Sequence, residues 1–179
     1  MFDPTLTDEQ EALIQTARRF AAEKIIPIAG KYDETGEWPA EVFREAWNVG
    51  LMNVEIPEAL GGLGLSTVGG SLVTEELAYG CSGIATSIMA NHLASLPLMI
   101  AGTDAQKEKY LGSLIADPIF ASYACSEPEA GSDVAGMQTR IVQDGDDWIL
   151  NGQKRWITNA SHASWYTGFA TTDPAFRHK

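Results

Sequence analysis

The sequence predicts an α+β fold: an all-α helical bundle over residues 1–118, then an incomplete antiparallel β domain over residues 119–179. Three observations carry this. Two capping boxes, Thr7-Asp8-Glu9-Gln10 and Thr103-Asp104-Ala105-Gln106, open segments of helical period. After Asp117-Pro118 the apolar runs become short and alternate with turn residues. Within that second part stand Asp144-Gly145 and Asn151-Gly152, dipeptides that tolerate positive φ and favour tight hairpins.

In the first helix apolar residues recur at Leu13, Ile14, Ala17, Phe20, Ala21 and Ile25. Pro27 is expected to end or kink it, because proline has no N–H and its ring clashes with the preceding turn. Pro39 suits the first position of a second helix, with Val42, Phe43, Ala46 and Trp47 on one face and Gly50 as the stop. Residues 56–64, IPEALGGLG, read as loop; GGLG lacks the G-x-G-x-x-G spacing of a dinucleotide-binding turn. A third helix is expected from Thr67 to Tyr79, capped by Gly80. A fourth begins at Ser82, apolar on nearly every side and hence buried. The Thr103 box opens a fifth, with Tyr110, Leu111 and Leu114 facing inward. Tyr79, Trp47 and Phe43 read as core, His92 as a hydrogen-bonded core histidine, and Glu75 and Glu76 as a solvated or capping pair. Strands are expected at residues 119–124, 139–142, 148–150, 154–157 and 165–170. A few hairpins with one apolar face need a covering layer, and the last strand would leave an open edge. The chain therefore reads as ending within a domain.

The formal charge is −12, with Lys+Arg 12 against Asp+Glu 24. Nucleic-acid binding rests on basic side chains neutralising phosphates, so this balance argues against it. Two distant cysteines, Cys81 and Cys125, read as reduced thiols, and with three histidines at scattered positions they offer no metal-ligand spacing. Cys125 reads as a small buried side chain, since no His or Lys follows closely to activate it. The longest apolar stretch, residues 87–101, is interrupted by Asn91 and His92, so no membrane insertion is expected. The start carries no signal or transit pattern. A cytoplasmic protein is expected, or a mitochondrial-matrix one if the start is that of a processed eukaryotic precursor.

Two segments carry chemistry: residues 123–133, YACSEPEAGSD, and residues 151–159, NGQKRWITN. A hydroxyl and N–H groups in a turn such as that of Ser126 can stabilise negative charge where it develops on a reduced flavin. The Trp156 indole offers a flat face and Thr158 a hydroxyl. The paired segments resemble the signature of the acyl-CoA dehydrogenase family, whose usual form is T-E-P-G-A-G-S-D followed by K-x-W-I-T-N. The runs ARRFAAEKIIP, GLMNVEIPEALGGLGL, TEELAYGCSG and AGTDAQKEKYLGSL resemble family segments in the same order, so the resemblance covers residues 7–172. Within the family the chain is most similar to the medium-chain enzymes.

The resemblance implies FAD as cofactor, with Tyr123, Ala124, Cys125 and Ser126 lining it, Trp156, Ile157 and Thr158 against the ring, and Thr158 near N5. It implies substrate contacts at Gly131 and Ser132 on the CoA side and at Ala85, Thr86 and Met89 on the acyl side. Glu129 departs from the family's usual Gly; if that Gly adopts positive φ, Glu129 would be strained in its place. Met89 stands where close medium-chain relatives carry an acid and Ala90 where they carry Gly, which implies an altered chain-length preference. The implied reaction is α,β-dehydrogenation of a fatty acyl-CoA to trans-2-enoyl-CoA in fatty acid β-oxidation, with electron-transferring flavoprotein as partner and a homotetrameric full-length enzyme. No catalytic residue is assigned in this chain: the family's Glu base lies in a C-terminal helical domain that the sequence does not include, so the chain alone is expected to be inactive. The alternative reading is a non-catalytic flavin- or partner-binding module.

Overall fold

The computed structural model describes residues 6–173 and Ala175. Its first part is helical. Thr7 closes its box as expected: Oγ1 accepts from Gln10 N at 3.2 Å, and Gln10 Oε1 accepts from Thr7 N at 3.0 Å. Helix α1 (Asp8–Phe20) buries Ile14, Ala17 and Phe20. Pro27 does not end the helical run. A π-helical turn, Ala21–Ile25, comes first, with the Ile26 N–H bonded to Ala21 O, and α2 (Ile26–Thr35) follows directly. Pro27 then occupies the second position of the resumed helix, where an N–H has little use and the ring meets less crowding. The actual stop is Gly36, at φ +66°.

Helix α3 (Ala40–Asn48) buries Val42, Phe43 and Ala46 and stops at Gly50, at φ +73°. Residues 56–64 form the expected loop around a short 3-10 turn, Glu58–Leu60. Helix α4 (Thr67–Gly80) includes Gly80 instead of being capped by it. A Cβ there would lie 3.0 Å from Ile25 Cγ2 and 3.2 Å from Ala21 Cβ. Gly80 therefore lets α4 lie close against the π turn. Tyr79 is a second correction: it is 82% exposed and no part of the core. The α1–α4 pairing instead employs Glu76, which accepts from Arg18 Nε at 2.9 Å and Nη2 at 2.5 Å, so Glu76 is paired and not simply solvated.

Helix α5 (Ser82–Ala101) and α6 (Asp104–Ala116) complete the bundle. By length and composition α5 could cross a membrane, but its inner face is committed to this fold. Asn91, fully buried, donates from Nδ2 to Asn53 Oδ1 at 3.0 Å and to Ile119 O at 3.1 Å. Its Oδ1 accepts from Ala121 N at 2.8 Å. Asn53, at φ +61°, donates on to Leu114 O at 2.8 Å, a carbonyl it shares with Trp47 Nε1. Beside this network His92 Nδ1 meets Glu55 Oε2 at 2.5 Å, as expected of a hydrogen-bonded histidine. Burial pushes Glu55 up and His92 down. The expectation that α5 is buried all round fails, since Leu93, Leu96 and Ile100 are exposed.

The second part is a small sheet region, β1 (Phe120–Ala124), β2 (Arg140–Asp144), β3 (Asp147–Asn151) and β4 (Ala163–Gly168). The antiparallel expectation holds for β2–β3, a hairpin turning at Gly145, φ +62°. It fails for β1–β4, which pair parallel from Phe120↔Ala163 to Ala124↔Gly168. Parallel neighbours need a long crossover, and here the connection that carries β2–β3 provides it. Helix α5 covers the pair: Thr167 Oγ1 donates to Ala94 O at 2.7 Å, and Asn159 Nδ2 to Ser87 O at 2.8 Å. Asn151-Gly152 makes no hairpin. A Cβ at Gly152 would sit 2.6 Å from Thr139 Cα, so that glycine serves a close backbone approach. Residues 154–157 are no strand either, for a reason given below.

Asn91→Ala would strand the Ala121 N–H, the Ile119 carbonyl and the Asn53 amide in a dry interior. It is expected to lower stability by about 3 kcal/mol, read as a fall in the urea midpoint with the slope unchanged.

Candidate functional site

The strand β1 ends at Ala124 and hands the chain to the Cys125–Ala130 turn. Glu127 N donates to Ala130 O at 2.9 Å and Ala130 N returns to Glu127 O at 3.3 Å. Pro128 and Glu129 are the two residues between. Glu129 is not in the left-handed region, so the strain that a positive φ would bring does not arise here. The turn's anchor is the Glu127 carboxylate, whose side chain is 3% exposed. Its Oε2 accepts from Gln138 N at 2.5 Å and its Oε1 from Thr139 N at 3.0 Å and from Lys154 Nζ at 2.8 Å. Lys154 Nζ also donates to Cys125 O at 3.0 Å. Burial pushes the carboxyl up, but the Lys154 ammonium and the two N–H groups outweigh it and hold the pKa at about 2.

This cluster brings the two chemistry-bearing segments together. Arg155 N donates to Ser126 O at 2.9 Å, and the buried Ser122 Oγ donates to Thr158 O at 2.7 Å. Residues 154–157 are thus tied crosswise to the end of β1 and its turn, and no ladder partner makes them a strand. Between the ties Trp156 takes φ +60°, and the residue is 82% exposed. Its ring contact is the Arg155 guanidinium, 4.7 Å from the centroid.

The predicted residues fall into groups. Ser126, Trp156, Ile157 and Thr158 share one region, and Ser126 and Thr158 are half-buried. Among the described residues neither the Ser126 nor the Thr158 hydroxyl has a hydrogen-bond partner. Burial and then the neighbouring Cys125 thiol push the Tyr123 phenol up. The Tyr123 ring packs 5.0 Å from that of Phe169. Ala124 is 8% exposed. Gly131 and Ser132 are exposed just past the turn. On α5, Ala85 is 2% exposed and packed in the core, Thr86 is exposed, and Met89 is half-buried with its Sδ accepting from Thr74 Oγ1 at 2.8 Å. Among the described residues no group of His, Cys, Asp and Glu could hold a metal ion.

Sequence reasoning missed Lys154, Ser122 and Asn159. Lys154 carries a legible signal, the first of two adjacent cations ahead of a tryptophan, but its partner lies 27 positions away by number. Nothing local marks Ser122. The region can receive a flat ring against Trp156, with free hydroxyls on either side and a cation nearby. Partly buried donors without partners beside an exposed indole fit a flavin.

The description "Acyl-CoA dehydrogenase, N-terminal domain" matches residues 7–117, and "Acyl-CoA dehydrogenase, middle domain" matches residues 122–179. A probable mitochondrial medium-chain specific acyl-CoA dehydrogenase of Caenorhabditis briggsae is 46% identical over 169 residues, 94% of this chain and 41% of that protein. The structure of butyryl-CoA dehydrogenase from Megasphaera elsdenii superposes with a TM-score of 0.90 at 32% identity, over 98% of this chain and 47% of that one. A glutaryl-CoA dehydrogenase from Mycobacterium smegmatis in complex with FADH2 gives 0.87 at 32% identity, over 94% and 44%. The chain thus spans less than half the length of these relatives.

The low pKa of Glu127 has a consequence for stability. The unfolded carboxyl titrates near 4.5 and the folded one at about 2, so the unfolded state binds more protons between those values. The Glu127 contribution is expected to be fully present above about pH 4.5 and to vanish as pH falls through 2. Urea unfolding of wild type and Glu127→Gln across pH 2–7 should show a constant gap at high pH that closes within that window.

Proposed function

The chain belongs to the acyl-CoA dehydrogenase family, and from that premise we propose that it forms the flavin-facing and acyl-facing wall of an FAD-dependent enzyme that converts a fatty acyl-CoA to its trans-2-enoyl-CoA. The observation that carries this reading is the juxtaposition of the Ser126 turn with the exposed Trp156 and the half-buried Thr158. When bound, the flavin would supply the acceptor for the substrate's β-hydride.

The chain's own residues divide the rest of the work. Ser126 and Thr158 offer hydroxyl donors to the ring edge, and preorganised donors stabilise charge where it develops. Trp156 supplies the face, and Tyr123, Ala124 and Cys125 the strand end beneath it. Gly131 and Ser132 stand exposed for the CoA side. On the acyl side the burial of Ala85 narrows the contacts to Thr86 and Met89, and the Thr74 hydroxyl fixes where the Met89 sulfur lies. Glu127 is no candidate for the base that removes the α-proton. It is buried, paired with Lys154 and held at about 2, whereas a general base must reach its proton and titrate near the working pH. We assign that role to a carboxylate outside this chain. Electron-transferring flavoprotein as the acceptor, a homotetramer as the working form and β-oxidation as the setting belong to the same proposal.

The complete gene product is expected to bind FAD and to lose its visible flavin absorbance when octanoyl-CoA is added without oxygen. A product that neither binds FAD nor bleaches would sink the proposal. Trp156→Ala should weaken FAD binding at least tenfold, about 1.4 kcal/mol, in a fluorescence titration. With C4, C8 and C16 thioesters the optimum should lie away from C8, as Met89 and Ala90 add apolar bulk; an optimum at C8 would remove Met89 from the specificity argument.

A further inference from the structure

Trp156 is held in a conformation that its own side chain cannot explain. A bulky residue at φ +60° is strained by about 1–3 kcal/mol and persists only where its surroundings over-determine it. Asn53 and Asn159 also have positive φ, but asparagine tolerates that region and both are buried. Trp156 is 82% exposed, so packing does not hold it. The constraint must come from the residues on either side. On one side Ser122 Oγ, at the buried centre of β1, fixes the Thr158 carbonyl. On the other the Arg155 N–H is fixed on Ser126 O, and Lys154 is fixed twice, on Cys125 O and on Glu127. Of these ties only Lys154–Glu127 is both ionic and shielded, its side chains 16% and 3% exposed. Charged hydrogen bonds of this kind are about twice as strong as neutral ones.

We infer that Lys154 and Glu127 are positioning residues: their clamp holds the Trp156 backbone in the left-handed region and so presents the indole, before any ligand arrives, as a ready face for a planar ring. The ligand assignment rests on the flavin reading above; the clamp does not. The same pair fixes both walls at once, because Lys154 reaches the carbonyl just before Ser126 while its carboxylate partner anchors the turn just after it. Loss of the clamp would let Trp156 relax to negative φ and turn the ring away, with the helical core untouched.

Removing Lys154 alone would leave a buried, uncompensated carboxylate, which is strongly destabilising. The test therefore uses the neutral double variant Glu127→Gln/Lys154→Met, with Lys154→Arg as the charge-retaining control. Amide hydrogen exchange reports the positioning directly, with no cofactor needed. In the double variant the Arg155 amide should lose at least tenfold in protection, while the Ala121 amide, held by Asn91, stays within twofold of wild type. Lys154→Arg should retain most of the Arg155 protection. FAD titrated into the complete gene product should bind at least tenfold more weakly to the double variant. Unchanged Arg155 protection in the double variant would overturn the clamp, and so would parallel losses at Arg155 and Ala121, which would mean general destabilisation. Wild type that fails to bind FAD would defeat the flavin reading, while the exchange result would still decide on the clamp.

Discussion

The structure hangs on one buried amide. Asn91 has no access to solvent, and its side chain is the point where helix α5, the start of β1 and the loop after α3 are joined. A polar group in that place is tolerated only because its donor and acceptor sides are both used; the same group half-used would cost more than an apolar residue. The network extends through Asn53 to the Leu114 carbonyl near the end of α6, so the segment that leaves the last helix and becomes β1 is tied to α5 at both ends. The position of β1 is thus set by the helical part. Everything at the candidate site is built outward from that strand.

A second polar cluster takes over where β1 stops. Glu127 draws in the Gln138 and Thr139 amides and the Lys154 ammonium, and Lys154 reaches back to the carbonyl of Cys125. The segments at residues 123–133 and 151–159 become one surface because the Glu127–Lys154 pair and the Arg155–Ser126 backbone bond join them. Strand pairing could not have done this, since β1 pairs with β4 further along and the intervening chain forms its own hairpin. The bundle fixes a strand, the strand places a turn, and a buried ion pair joins that turn to a tryptophan loop. Each step uses side-chain polarity where regular ladders give out.

That chain of dependence explains what could be read from the sequence. The capping boxes at Thr7 and Thr103, the stop at Gly50 and the hairpin at Gly145 are local, and local chemistry was enough to find them. Pro27 misled because a π turn can be inserted ahead of a proline, and here that turn brings Ala21 and Ile25 close against Gly80. Tyr79 misled because helical spacing places a residue on a face without saying what covers it. The parallel pairing of β1 with β4 depends on what lies across a long connection, and short-range turn signals carry no information about it. Likewise NGQKRWITN looked like hairpin and strand, since alternation is all that a sequence shows. The Thr139 backbone against Gly152 and the Ser126 carbonyl on the Arg155 amide decide otherwise. At the site, motif residues were legible as a set, and the arrangement that makes them a set was not.

The burial of Glu127 also separates two roles that a carboxylate can play in a protein, those of base and of clamp. A base must be solvated or poised enough to take a proton, whereas a clamp must stay charged under all working conditions. Glu127 has been given the surroundings of a clamp: two backbone N–H groups, an ammonium and almost no water. The arrangement that makes it dependable as an anchor removes it from proton chemistry, because any gain in basicity would loosen the turn and the tryptophan with it. Under the proposed function, holding the ring face and moving the proton would therefore fall to different carboxylates. The division is dictated by electrostatics: one group cannot be held near 2 by its partners and still accept a proton at neutral pH.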